Sequence, residues 1–228
     1  MSKHIVVIGA SRGIGAALVK QYARNPDHIV YAFARNIDRM NSLFNEKNVH
    51  CFQLNLESNI REQLDQLLEK LPMIDVLIEN AGFLVNKPFQ ELSHEDLTTS
   101  YQVNVIGVME NIQCFIPKLN PEGAHIVNIS SMGGFQGSMK FAGLAAYSTS
   151  KAALCSFTEL FAEEYKETTI KMNCLCLGAV QTEMLEQAFP GYQAPLSPAQ
   201  MATFIEDFSL TAHRYLNGKI IPVSLTNP

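Results

Sequence analysis

Short runs of residues that are apolar almost throughout, each followed by a stretch with helical spacing, set the strongest limit on how this chain can fold. "HIVVI" (4–8), "HIVYAFA" (28–34), "VHCFQL" (49–54), "IDVLIE" (74–79), "AHIVNIS" (124–130), 170–177 and "KIIPVS" (219–224) are strand-length segments. Most lack the in–out alternation of a half-exposed sheet, as expected when both faces are covered. Helical patterns fall between them at 13–24, 36–46, 57–71, 93–119, 147–165 and 198–212. In 57–71 the apolar residues Ile60, Leu64, Leu67, Leu68 and Leu71 make one stripe, and Ser93 with Asp96 forms a capping box for the long helix that follows. Alternating strands and helices predict a doubly wound α/β fold. Its parallel sheet has about seven strands, with helices on both faces.

No linker, repeat or low-complexity stretch divides the 228 residues, so one domain over 1–228 is expected. A net charge of −5 without a basic run argues against a nucleic-acid or acidic-membrane surface. No apolar run approaches the ~20 residues of a membrane span, and Arg12 breaks the N-terminal run before it reaches signal-peptide length. The five cysteines have no metal-ligand spacing. Cys174 and Cys176, two apart on a strand, read as small core residues. With six scattered histidines, no metal is assigned, and an odd cysteine count suggests a reduced, cytoplasmic protein.

The first turn, "GASRGIG", sets Gly9, Gly13 and Gly15 between a strand and a helix. Glycines there let a pyrophosphate approach backbone N–H groups at a helix N-terminus. The second strand then discriminates between nucleotides. A carboxylate about 20 residues beyond the turn would hold a ribose 2′-hydroxyl. This chain has Ala34 there and Arg35 next, with Arg12 inside the turn. Two arginines and no carboxylate favour NADP(H) over NAD(H).

"AAYSTSKAAL" (145–154) carries Tyr147 four residues before Lys151. At that spacing the two share a helix face, with Cβ atoms about 6 Å apart. A phenol near pKa ~10 is a poor acid or base at neutral pH, and a neighbouring ammonium favours its phenolate. Such a pair suits proton exchange with an alkoxide or alcohol. Alone it is a common accident of helix surfaces. Ser130 and Ser131 at the end of the fifth strand, where the ligand crevice of such a sheet opens, give it a context.

Taken together these motifs resemble the short-chain dehydrogenase/reductase family, with its Rossmann-like domain, from Ile5 to about Val223. "GASRGIG" is similar to its glycine turn, "ENAG" (79–82) to its Asn-Asn-Ala-Gly, and "VNVIG" (103–107) to the segment with its catalytic asparagine. "IVNISS" is similar to its serine strand, "YSTSK" to its Tyr-x-x-x-Lys, and "LGAVQT" (177–182) to its nicotinamide-contacting segment. The resemblance implies an oxidoreductase acting on a small carbonyl or secondary alcohol, assembled as a homodimer or homotetramer. Tyr147 would be the general acid/base, Lys151 would hold the nicotinamide ribose, and Ser131 would orient the substrate oxygen. Asn104 would hold a water of a proton relay. It also implies cofactor contacts from Gly9, Ser11, Arg12, Gly13, Ile14, Gly15, Arg35, Asn55, Leu56, Asn80, Ala81, Gly82, Tyr147, Lys151, Gly178, Val180 and Thr182.

Several positions depart from the family pattern: Ile8 for Thr, Asn55 for Asp, Glu79 for Asn and Leu177 for Pro. Asn55 keeps a side-chain carbonyl that can accept a hydrogen bond. Glu79 is the oddest change and would disfavour a phosphate-rich ligand beside it. The Ser131–Tyr147 interval is longer than usual, and Phe135, Met139 and Phe141 in the added loop are expected to line the substrate pocket. Residues 180–197 form the expected substrate flap; with this flap short and the usual glycine-rich ending missing, an open pocket is expected. An alternative is a catalytically idle dinucleotide-binding protein that senses redox state or docks a partner, which the presence of both Tyr147 and Lys151 disfavours. An epimerase or dehydratase of the extended branch would need a larger C-terminal region.

Overall fold

A strand that is apolar on both sides must be covered on both sides, and the chain meets this demand with two helical layers around one sheet. The computed structural model describes residues 2–225. The strands are β1 Lys3–Ile8, β2 His28–Ala34, β3 Val49–Gln53, β4 Val76–Glu79, β5 Ala124–Ser131, β6 Ile170–Leu177 and β7 Ile220–Val223. They pair in the order β3-β2-β1-β4-β5-β6-β7, and each pairing is parallel. Ile5 and Val7 of β1 join the core under α1 (Gly13–Ala23), α2 (Ile37–Leu43) and α8 (Pro198–Thr211). Val6 and Ile8 join the core on the other face, under α3 (Ile60–Lys70), α5 (Gly107–Phe115), which follows α4 (His94–Tyr101), and α6 (Ala145–Glu164). The predicted fold class is the observed one. Among the described residues no helix is long and apolar enough to cross a membrane.

The differences from the sequence reading are local. The helix expected over 57–71 starts only at Ile60, where Asn59 accepts a hydrogen bond from Glu62 N at 3.3 Å. The helix expected over 93–119 has the anticipated Ser93–Asp96 capping box, but it is not continuous. It widens into a π-helical turn at Gln102–Ile106 before α5, and it ends in a 3-10 turn, Ile116–Lys118, containing Pro117. Gly107 follows the wide turn because the chain passes close to Leu56; a Cβ on Gly107 would stand 2.9 Å from both the Leu56 Cβ and the Gln102 carbonyl oxygen. The flap region, expected as a loop, contains a short helix, α7 (Glu183–Ala188).

The strand order reverses between β1 and β4, so the connections leave their C-terminal ends in opposite directions and a crevice opens there. Glu79, the last residue of β4, lies beside this crevice, but its side chain enters the helical layer of α5 and is fully buried. Asn111 Nδ2 donates to Glu79 Oε1 at 2.5 Å. The other carboxyl oxygen, Asn111 Oδ1 and Asn128 Oδ1 have no partner within the protein, and Asn128 is the β5 residue in register with Glu79. This spot is rich in acceptors and short of donors, and a protonated carboxyl supplies one. Burial pushes the Glu79 pKa up to about 8, against smaller opposing effects from Asn111 and Lys151.

The folded state therefore holds this proton more tightly than the unfolded chain. Full stability is present below the unfolded carboxyl's pKa and is lost as pH rises through about 8. Glu79→Gln, which cannot ionise, is expected to gain on the order of 4 kcal/mol relative to wild type between pH 5 and pH 9. Chemical denaturation of both proteins across that range checks this, and parallel pH profiles would contradict it.

Candidate active site

The crevice is floored by the glycine turn. Gly9 and Gly13 have φ of 83° and 53°, which side chains rarely adopt. A Cβ on Gly9 would stand 2.6 Å from the Ala81 Cα, so the β1 turn and the β4 end meet backbone to backbone. Asn80 Nδ2 donates to the Gly9 carbonyl at 3.1 Å and fixes that contact. Gly15 does not line the crevice; it packs α1 against the turn, where a Cβ would fall 2.1 Å from the Gly9 oxygen. Arg12, at the N-cap of α1, makes no side-chain cap, so the first-turn N–H groups face the crevice without one. Bare backbone and an uncapped helix end fit a pyrophosphate.

A cavity of ≈ 640 Å³ runs from this turn to the end of β5. Of the expected cofactor residues, all except Gly15 line it: Gly9, Ser11, Arg12, Gly13 and Ile14 from the turn, Arg35 after β2, Asn55 and Leu56 after β3, Asn80, Ala81 and Gly82 after β4, and Gly178, Val180 and Thr182 after β6, with Tyr147 and Lys151 of α6. Arg35 donates to Glu57 Oε1 at 2.5 Å. Arg39, which sequence reasoning missed, also lines the cavity and donates to Glu183 Oε1 at 2.6 Å, with Arg12 4.0 Å from the same carboxylate. Its place in the first turn of α2, which Asn36 caps, was the available signal. The Asn55 side-chain oxygen accepts from Glu57 N at 3.1 Å and so shapes the turn that presents Glu57. Glu79 does not reach the cavity, so the expected conflict with a phosphate-rich ligand does not arise.

Ser131, Tyr147 and Lys151 line the opposite end of the cavity. The first ends β5, and the other two occupy the first two turns of α6. Burial raises the Tyr147 pKa, and the neighbouring Ser131 hydroxyl pulls it down. The expected lowering by Lys151 is not the governing effect here. Lys151 is itself buried, and its Nζ donates to the Ile129 carbonyl at 2.9 Å. Burial lowers its pKa to about 8, with the nearby thiols and Glu79 acting against it.

Asn104 does not line the cavity. It lies in the π-helical turn, and its amide spans both backbone groups of Phe83: Oδ1 accepts from Phe83 N at 2.8 Å, and Nδ2 donates to Phe83 O and Ser150 Oγ, each at 2.9 Å. It thereby anchors the segment after Gly82. A Cβ on Gly82 would stand 3.5 Å from Asn104 Oδ1 and from Lys151 Nζ, ordinary contacts rather than a clash.

Of the loop residues expected in the substrate pocket, only Phe141 lines the cavity. Phe135 packs instead on Cys155, Cys174 and Cys176, and Met139 is exposed. The three thiols converge behind Lys151, with all sulfur atoms within 4.8 Å of one another; the spacing of Cys174 and Cys176 gave no sign that Cys155 would join them. Three loops are tied together at the rim. Lys87 N donates to Gly143 O at 3.0 Å, and Asn86 Nδ2 donates to Ala188 O, at the end of α7, at 2.8 Å. Thr182 caps α7 by accepting from Leu185 N at 3.2 Å.

A doubly wound parallel sheet with a glycine turn at its switch point, and a serine, tyrosine and lysine across the same crevice, defines a dinucleotide-type oxidoreductase architecture. The chain belongs to the short-chain dehydrogenase family, whose model matches residues 3–193. An uncharacterized oxidoreductase of Staphylococcus epidermidis is 28% identical over 220 residues, covering 94% of each chain. The L-2,3-butanediol dehydrogenase of Corynebacterium glutamicum is 32% identical over 197 residues, covering 82% of this chain and 75% of its own. Among solved structures, a short chain dehydrogenase of Shigella flexneri complexed with NADP superposes with a TM-score of 0.87 at 27% identity, covering 96% of each chain. One from Escherichia coli complexed with NADPH gives 0.87 at 26% identity, covering 96% of this chain and 95% of its own.

Two glycine substitutions separate backbone necessity from mere space. Gly9→Ala is expected to destabilise the fold by about 1–3 kcal/mol or more, since it combines a strained φ with a backbone clash. Gly82→Ala should unfold within about 0.5 kcal/mol of wild type. Thermal unfolding of the two variants checks this, and equal losses would contradict it.

Proposed function

We propose that this protein is an NADP(H)-dependent oxidoreductase that interconverts a carbonyl and a secondary alcohol. The observation that carries the reading is one cavity with the glycine turn and three arginines at one end and Ser131, Tyr147 and Lys151 at the other. NADP and NADPH in the Shigella and Escherichia relatives support the choice of cofactor. Gly9, Gly13 and the α1 N-terminus would receive the pyrophosphate, and Arg12, Arg35 and Arg39 the 2′-phosphate, with Glu57 and Glu183 giving up their ion pairs. Lys151 and the backbone of Asn80–Gly82 would hold the nicotinamide ribose. When bound, the nicotinamide gives or takes the hydride.

Tyr147 is protonated at neutral pH, and burial, which raises its pKa, favours that form further; it is the form that can donate to a substrate carbonyl oxygen. Ser131, beside it, donates a second hydrogen bond to the same oxygen and fixes its position. Lys151, fixed by the Ile129 carbonyl, presents a positive charge that favours the phenolate once Tyr147 has given up its proton. Asn104 acts at one remove, by holding the Phe83 backbone.

Tyr147→Phe is expected to lower kcat by about 10²–10⁴ while leaving NADPH affinity unchanged. Wild-type turnover in that variant would remove Tyr147 from the chemistry. Titration with NADPH and with NADH, followed by nicotinamide fluorescence, is expected to show a preference for NADPH. Arg35→Ala and Arg39→Ala should each weaken NADPH by about 10-fold and NADH little. Equal losses for the two nucleotides would remove the 2′-phosphate argument. No binding of either would favour an idle protein.

A further inference from the structure

Apart from Lys151, the charge in this cavity is confined to one end. Arg12, Arg35 and Arg39 stand at the nucleotide end, each beside a carboxylate. The loops tied together at the rim contribute Leu84, Phe141, Leu144, Met184, Phe189 and Tyr192 to the lining. The interloop hydrogen bonds place three of the contributing loops together: Asn86 holds the Ala188 carbonyl next to Phe189, and Lys87 N holds Gly143, two residues from Phe141.

The lysines that border this rim are already committed. Lys140 Nζ donates to the carbonyls of Gly133 and Phe135 and to Ser138 Oγ, at 2.7–3.0 Å. Lys87 Nζ is paired with both Asp96 oxygens, at 2.7 and 2.9 Å. Lys151 is buried on the Ile129 carbonyl. A carboxylate or phosphate on the substrate would thus have to displace these existing partners to gain a cation at the rim, a cost that an uncharged body does not meet. Phe141 and Tyr192 are 52% and 50% exposed, so two aromatic faces stand half-covered at the mouth. Apolar surface of this kind around a few convergent polar groups suits an apolar body carrying a single polar oxygen.

We infer that the substrate is an uncharged, largely apolar carbonyl compound, such as an aryl or alkyl ketone or its alcohol, whose body packs on Phe141 and Tyr192. The same rim disfavours a substrate with a carboxylate or a phosphate at that end. The inference rests on the oxidoreductase reading for its polar end and on the rim for its apolar one.

The test uses one aryl ketone with and without charge: ethyl benzoylformate and benzoylformate, with NADPH consumption followed at neutral pH. The ester is expected to be reduced with a kcat/KM about 100-fold above that of the acid. Phe141→Ala should lower kcat/KM for the ester about 10-fold with NADPH affinity unchanged. Phe141→Arg should narrow the gap by improving the acid. A wild-type acid rate equal to that of the ester, or an ester rate indifferent to Phe141→Ala, overturns the inference and leaves the oxidoreductase reading standing. If neither compound is reduced although NADPH binds, the oxidoreductase reading fails. Saturation-transfer NMR on the protein with NADP+ then decides the rim: ester binding weakened by Phe141→Ala sustains it, and equal or absent binding of the two compounds overturns it.

Discussion

The backbone contact between Gly9 and Ala81 is the constraint on which the rest of this molecule depends. It exists because β1 lies between β2 and β4, so the turn after β1 and the strand end of β4 must pass each other without side chains between them. A parallel sheet that reverses its winding has one place where the connections diverge, and ligand chemistry collects there. Everything polar in the site is hung on strand ends or helix starts within reach of that point. Ser131 closes β5, Gly178 follows β6, and Tyr147 and Lys151 begin α6. The apolar layers above and below hold those ends in register, so the precision of the site is inherited from the core.

Behind the crevice the helical layer carries more polar groups than a plain hydrophobic face would. Glu79 with Asn111, Asn128 with Thr158, Asn104 with Ser150, and Ser130 with the Lys151 carbonyl are all buried pairs. Each aligns an element that borders the site. The π-helical turn at Asn104 follows the same logic. Widening the helix by one residue lets the side-chain amide reach both polar groups of Phe83, at the expense of a regular hydrogen-bond ladder.

The sequence was most legible where periodicity and burial agree. β2 and β6 have the predicted bounds because their runs are apolar on both sides and end at polar or glycine residues. The cavity residues were legible because their motifs sit at strand ends in chain order. What was not legible depended on distance in the chain. A 93–119 helix reads as continuous because the pattern is helical on both sides of the π-helical turn; the contacts made at that turn, with Phe83 and Leu56, lie far away in sequence. The direction of Glu79 follows from strand parity, which sends it to the face shared with Ile8 and Asn128 rather than into the crevice. Arg39 joins Arg12 through a carboxylate 144 residues downstream, in a helix within what reads as a loop. Phe135 turns to the thiols because the 3-10 turn at Met132–Gly134 folds the loop back on α6.

The three thiols behind Lys151 give this core a built-in chemical timer. Cys155, Cys174 and Cys176 are each less than 10% exposed, and together they bridge α6 and β6 at the level of the tyrosine–lysine pair. An alkylating reagent reaches them only when helix and strand part. The rate at which they are modified in the native protein therefore measures how often the floor of the site opens, residue by residue, without unfolding the whole chain.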